Sequence, residues 1–262
     1  MQMNAEELNN IKTWFKNYVQ TFSRNNGGLH PFLQLKFEHS ERVAKDAGSI
    51  AQNLDWTSVD ANNAEVIGWL HDIGRFSQFA EFRTFQDSIS VNHGERGWNI
   101  VRQSDVLSSL NVREQKCILD SIHYHNERAV PDDINSESLP FVKLIRDADK
   151  LDIFRIVLDS IQQNGFRELP EMLPQVALDG PVNPKVIKEL NTHNSCSMGD
   201  IKSLADFLLM QLSWFYDINY APTFQRIAER NLISNIAGKP PQNNKALHDI
   251  VAAVKHFVAD NI

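Results

Sequence analysis

Apolar residues recur at helical spacing along most of the chain, and this periodicity constrains the fold more than any other feature. In the first segment, Leu8, Ile11 and Phe15 share one helical face. No stretch shows a convincing strand pattern. Helices are therefore predicted over about 8–22, 36–54, 59–70, 91–101, 111–125, 141–158, 184–192, 199–218, 223–236 and 244–260. The sequence predicts an all-α fold.

Two segments interrupt this pattern. Residues 73–88 are rich in aromatic side chains and lack a clear period, which predicts an irregular segment that could cover a cleft. Lys239-Pro240-Pro241 predicts a break between the last two helices. Proline and glycine also become frequent after Asn164-Gly165. We therefore expect one helical domain over 1–165, which includes an N-terminal packing helix, and a helical extension over 166–262 packed on it as one unit.

Composition and charge argue against some classes of function. The chain has 262 residues and a formal net charge of −7, which argues against a broad nucleic-acid-binding surface because such surfaces need excess Lys and Arg. The first ten residues do not resemble a signal peptide, and no apolar run reaches the roughly 20 residues that span a bilayer. A cytoplasmic protein without membrane contact is expected. The C-terminal helices, especially Leu208 to Tyr220 with the aromatic run 214–216, could pack in the core, wall a pocket or form a homodimer face, and core packing is the default.

Histidines and aspartates lie on inward faces or at the ends of several predicted helices. His71 and Asp72 are adjacent, follow an apolar helix and precede Gly74. A neutral imidazole and a carboxylate are good ligands for a metal ion, but two are too few to hold one. Helices around a core can bring further ligands together. The other candidates are His39, His93, His123 or His125, and Asp149.

The order of these residues, with the sequence around them, resembles the HD-domain superfamily. Three stretches carry the resemblance: His39-Ser40-Glu41-Arg42-Val43, Leu70-His71-Asp72-Ile73-Gly74-Arg75 and Arg146-Asp147-Ala148-Asp149-Lys150-Leu151-Asp152. The resemblance covers about residues 30–160. It is closest to stand-alone bacterial HD proteins of unassigned substrate, and it implies a helical metal-binding bundle.

The resemblance implies a ligand set for one or two divalent ions. His39, His71, Asp72 and Asp149 are expected to bind one ion, and Asp72 can bridge to a second. Asp149 matches the family pattern and lies nearer the apolar helical face than Asp147, which points well away and is the fallback. The second ion would take His93 and His125, with His123 as a possible ligand or a nearby imidazole.

Charged residues beside these ligands have expected roles as well. Arg75 and Lys150 abut proposed ligands and are expected to meet substrate phosphates, ahead of Arg83 and Arg128. Asp152 is expected to orient a ligand histidine or to pair with Lys150. A surface charge remains an alternative for each basic residue.

The leading functional hypothesis is metal-dependent hydrolysis of a nucleotide or another small anionic phosphoester. The mixed histidine and carboxylate set suits Mn, Fe, Co, Ni or Zn better than Mg or Ca. Some HD-domain proteins place the same set around two irons and oxidise substrates with dioxygen, so a di-iron oxygenase is the second hypothesis. A ligand-binding domain with a structural metal is the third.

Overall fold

A computed structural model describes residues 2–25, 27–238 and 245–262, with the side chains of 245 and 246 excepted. Within these residues the fold is all-α and contains no β-strand. The chain divides into two compact units, one ending at Asp152 and the other beginning at Ile153. The division falls inside one long helix, so the boundary expected near residue 165 stays a prediction.

The first unit contains the N-terminal helices and the start of the long helix. Its helices are α1 (Ala5–Gln20), α2 (Pro31–Asn53), α3 (Ser58–Leu70), α4 (Gly74–Phe82), α5 (His93–Gln103), α6 (Val112–Tyr124) and α7 (Leu139–Asn164). Phe15 of α1 is fully buried. Its ring centroid lies 5.6 Å from that of Trp69 and 5.8 Å from that of Phe76. The apolar stripe predicted for the first segment is therefore the contact of α1 with the core.

The second unit contains the rest of α7 and the C-terminal helices. These are α8 (Leu169–Met172), α9 (Pro184–His193), α10 (Leu204–Ser213), α11 (Ala221–Glu229), α12 (Leu232–Ala237) and α13 (Lys245–Asp260). Phe215 is fully buried and stacks on Phe154, with ring centroids 4.6 Å apart. Core packing thus accounts for Phe215, the middle residue of the aromatic run 214–216.

The helix predictions are largely confirmed, including the capping box in which Asn111 and Glu114 start α6. The prediction for residues 73–88 is wrong in its first half, because Gly74–Phe82 forms α4. Phe76 and Phe79 are buried there at helical spacing, although the many aromatic residues obscured the period. The predicted helix 223–236 is two helices, which are separated at Arg230 and Asn231. The predicted break at Lys239-Pro240-Pro241 lies outside the described residues.

None of the helices in the described part of the chain has the length and apolar character needed to cross a membrane.

Candidate metal centre

The close approach of α2 and α3 sets the first part of the centre. A Cβ atom on Gly68 would lie 2.3 Å from the Cα of Ala44, so only glycine permits this separation. His39 projects from α2, and His71 caps the C-terminus of α3. Asp72 occupies the short turn that leads directly into α4. The two helices therefore present His39 and His71 beside the carboxylate of Asp72.

A second close approach, between α4 and α5, sets the other part. A Cβ atom on Gly74 would lie 2.2 Å from the carbonyl oxygen of His93, the first residue of α5. Asn92 caps that helix by accepting hydrogen bonds from two backbone N–H groups. His125 caps the C-terminus of α6. His125 keeps the helical conformation, and its N–H donates to the carbonyl of Ser121 at 3.1 Å, so it faces away from His123.

The two oxygens of Asp72 face different pairs of histidines. Oδ2 lies 3.6 Å from Nε2 of His39 and 3.8 Å from Nε2 of His71. Oδ1 lies 3.3 Å from Nε2 of His93 and 3.7 Å from Nε2 of His125. Asp72 is thus the shared member of two buried groups that can each hold an ion.

Asp149 joins the group at His39. Its Oδ1 atom lies 3.1 Å from Nε2 of His39 and 3.7 Å from Nε2 of His71. The structure thus brings together all six residues expected as ligands. We call His39, His71 and Asp149 with Oδ2 of Asp72 the first half of the centre. The second half is His93 and His125 with Oδ1 of Asp72.

Each of the four imidazoles is oriented through its Nδ1 atom. For His71 the acceptor is the carbonyl of Gly68 at 2.8 Å, and for His125 it is the carbonyl of Ile122 at 2.9 Å. A carbonyl can only accept, so these Nδ1 atoms carry the proton. His39 contacts Asp152 Oδ2 at 2.7 Å, and His93 contacts Asp87 Oδ2 at 2.6 Å.

These contacts turn the Nε2 atoms of the imidazoles toward each other in pairs. The two Nε2 atoms lie 3.3 Å apart in the pair His39–His71 and 3.1 Å apart in the pair His93–His125. Two buried lone pairs at this distance repel unless a proton or a metal ion lies between them. Ligands bonded to one divalent transition metal are typically roughly 3 to 3.5 Å from each other. The donor set and its spacing therefore fit a metal ion in each half.

Local charges keep the carboxylates ionised. Burial alone would raise the pKa of Asp72, but Lys36, His71, His125 and Arg75 hold it well below its usual range. Burial would likewise raise the pKa of Asp149, but its hydrogen bonds with His39 and His71 hold it well below its usual range. Both side chains are thus available as anionic ligands.

Burial acts to lower the pKa of His39, His71 and His93, but the net shift is not the same for all three. Burial and the charge of Arg75 lower the pKa of His93 to about 3, despite its hydrogen bond with Asp87. Burial likewise lowers the pKa of His71. For His39, burial and the charge of Lys36 lower the pKa, but hydrogen bonds with Asp149 and Asp152 outweigh them. The pKa of His39 is therefore raised. His71 and His93 are therefore neutral at physiological pH, the form that binds metal.

The remaining predicted residues have defined places. Asp152 orients His39 and also accepts two hydrogen bonds from Arg42. Asp147, expected to point well away from the apolar face, is nevertheless fully buried, and it lies outside the two groups found in the described residues. His123 packs against Trp98, with ring centroids 5.5 Å apart, and likewise lies outside those groups.

The two predicted phosphate contacts have neighbours within the protein. Lys150 donates to the carbonyl of Arg146 at 3.3 Å. Arg75 Nε lies 3.5 Å from Asp72 Oδ1, and its Nη1 atom donates to Asp87 Oδ1 at 2.8 Å and to Gln78 Oε1 at 2.9 Å. Arg75 is therefore held firmly beside the shared carboxylate.

Sequence reasoning missed three residues that support the centre, directly or through another residue. Lys36 lies 2.7 Å from Asp72 Oδ2, Asp87 orients His93, and Arg42 anchors Asp152. The spacing could have identified Lys36, which precedes His39 by one helical turn and shares its face. Asp87 had no such signal, because it lies in a 3₁₀ turn between α4 and α5.

A helical unit in which four histidines surround a shared aspartate is of the all-α class and has the donor groups of a metal site. Residues 37–153 match the family model of the HD domain, and this part of the chain belongs to that family. All six expected ligands lie within the matched range. No curated protein and no solved structure matches the chain.

Proposed function

We propose that the protein is a metal-dependent phosphohydrolase that acts on a nucleotide or another small anionic phosphoester. The HD domain is of the metal-dependent phosphohydrolase type, and the histidine and aspartate groups provide two places for a divalent ion. Mn, Fe, Co, Ni or Zn suits such a mixed donor set.

One observation carries this proposal. All four imidazoles are held through Nδ1, so that their Nε2 atoms point in pairs at the two oxygens of Asp72. A structural role would need one closed ion site, whereas this arrangement offers two adjacent ones joined by a carboxylate. Adjacent ions joined in this way are the usual arrangement for in-line displacement at phosphorus.

The chain's own residues have distinct roles in this proposal. His39, His71, Asp149 and Asp72 would hold one ion, and His93, His125 and Asp72 the other. When bound, the ions would polarise a phosphoryl oxygen and lower the pKa of a water molecule. Arg75, fixed by Asp87 and Gln78, orients Asp72.

The test is hydrolysis by the Mn²⁺-loaded protein, measured without oxygen on a panel of phosphomonoesters and phosphodiesters. We expect turnover in the wild type and its abolition in His71→Ala and Asp72→Ala, because each substitution removes a ligand. The control is His256→Ala, which removes an exposed histidine that pairs with Asp260. This variant should retain full activity.

Three results would contradict the proposal. Retained hydrolysis in Asp72→Ala would separate the activity from this centre. Oxygen consumption by an iron-loaded protein that hydrolyses no phosphoester would identify a di-iron oxygenase instead. Metal binding without either activity would indicate a ligand-binding domain with a structural metal.

A further inference from the structure

Lys36 lies at the shared carboxylate although it belongs to neither half of the centre. It projects from α2, and its Nζ atom lies 2.7 Å from Asp72 Oδ2. Its side chain is 16% exposed, whereas that of Asp72 is 4% exposed. The ammonium group also lies 5.7 Å from the ring centroid of Phe85. Lys36 therefore reaches from the partly exposed side of the centre onto its buried carboxylate.

Arg75 reaches the same carboxylate but is bound differently. Both cations lie over Phe85 and approach opposite oxygens of Asp72. Arg75 has further acceptors in Asp87 and Gln78, which fix its position. Among the described residues, Lys36 Nζ makes one hydrogen bond, to Asp72. An ammonium group has three donors, so Lys36 retains the capacity to bind another anion.

Metal binding changes what Lys36 can pair with. Asp72 Oδ2 is the oxygen that faces His39 and His71, so an ion in the first half would take the electron density that now attracts the ammonium. Two divalent ions would also bring more positive charge than Asp72 and Asp149 can neutralise. An ammonium group beside such a centre requires a new anion, and a phosphoryl group at the ions supplies one.

We propose that Lys36 is a substrate-binding residue that pairs with Asp72 in the metal-free protein and with a phosphoryl oxygen in the loaded one. This inference rests on the proposed function. It assigns to Lys36 the phosphate contact that the sequence had suggested for Arg75 and Lys150.

The experiment uses inorganic phosphate as the probe and calorimetry as the readout. Phosphate and Mn²⁺ affinities are measured for the wild type, Lys36→Met, Lys36→Arg and Lys45→Met. Lys45 is exposed on the same helix, so its substitution makes the same charge change away from the centre. A hydrogen bond between charged groups is worth about 1.5–3 kcal/mol, so phosphate should bind Mn²⁺-loaded Lys36→Met about ten- to a hundredfold more weakly.

The other readouts separate substrate binding from a structural role. Mn²⁺ should bind Lys36→Met at least as tightly as the wild type, because a competing cation has been removed from Asp72. Lys36→Arg should recover much of the phosphate affinity, and Lys45→Met should match the wild type. For hydrolysis, Lys36→Met should raise KM.

Each contrary result has its own meaning. If Lys36→Met bound phosphate as tightly as Lys45→Met, while the wild type hydrolysed phosphoesters, the Lys36 inference alone would be overturned. If Lys36→Met lost Mn²⁺ binding, Lys36 would support the metal centre instead of the substrate. If the wild type bound no Mn²⁺, this inference and the proposed function would both fail.

Discussion

The two halves of the centre share Asp72 but differ in their other ligands and in how firmly the surrounding helices hold them. In the first half, His39 and His71 come from a tightly packed helix pair, and both are fully buried. Asp149 adds a second carboxylate there. The second half has only the other oxygen of Asp72 as an anionic donor. The first half thus has more charge and more rigid support.

The carboxylate that orients a histidine is also more buried in the first half than in the second. Asp152, which orients His39, has a side chain 2% exposed and is anchored by Arg42. Asp87, which orients His93, is also paired with an arginine, Arg75, but it is 30% exposed and lies in a 3₁₀ turn. Hydrogen bonds that orient a metal-binding histidine change the affinity of the site for its metal. We therefore expect the first half to bind its ion more tightly and to lose it last.

The largest effects should come from adding a methyl group at the two glycines where helices pack most closely. Gly68→Ala would force α2 and α3 apart, and Gly74→Ala would force α4 and α5 apart. Overpacking of this kind costs about 1–3 kcal/mol. Gly68→Ala should lower the melting temperature and the affinity of the first ion. Gly74→Ala should chiefly remove the second ion, because it displaces His93. Thermal unfolding and Mn²⁺ stoichiometry measure the two effects.

Gly199→Ala is the control, because nothing lies within 4 Å of a Cβ atom at this position. It should leave both measurements unchanged. If Gly74→Ala retained two ions of unaltered affinity, the second half would not depend on the approach of α4 to α5.

Smaller effects should follow from changing the two orienting carboxylates. Asp87→Asn should weaken the second ion and leave the first, whereas Asp152→Asn should weaken the first. Losing such a contact lowers metal affinity by about 10- to 100-fold. Asp152→Asn should also lower thermal stability, because it removes the buried charge that pairs with Arg42. Stepwise Mn²⁺ titration distinguishes the two affinities.

Asp159→Asn is the matched control, since the side chain of Asp159 is 46% exposed and pairs with Arg155 one turn earlier. It should bind both ions as the wild type does. If Asp87→Asn lowered the affinity for both ions equally, the two halves would act as one unit. The proposed difference between them would then be wrong.

The sequence predicted the part of the centre that helices carry. His39 and Asp149 lie on helical faces, and the resemblance to the HD domain supplied their partners. The all-α fold followed from periodicity, which helices impose over many residues. The family pattern and the helical wheel both favour Asp149 over Asp147, and the structure places Asp149 beside His39.

The missed features depend on contacts that periodicity does not encode. Asp87 reaches His93 because the chain between α4 and α5 folds back over the centre, and no local pattern specifies that path. Asp147 is buried despite its position off the apolar face, because neighbours surround α7 on more than one side. Lys36 was missed for another reason: a lysine on a helix is usually a surface charge.

The central claim is that Asp72 joins two metal ions, and the most direct measurement is electron paramagnetic resonance of the Mn²⁺-loaded protein with metal analysis. We predict two Mn²⁺ ions per chain with the exchange-coupled spectrum of a carboxylate-bridged pair, and the loss of that coupling in Asp72→Ala. One ion per chain, or two ions with the spectrum of isolated Mn²⁺, would contradict the account.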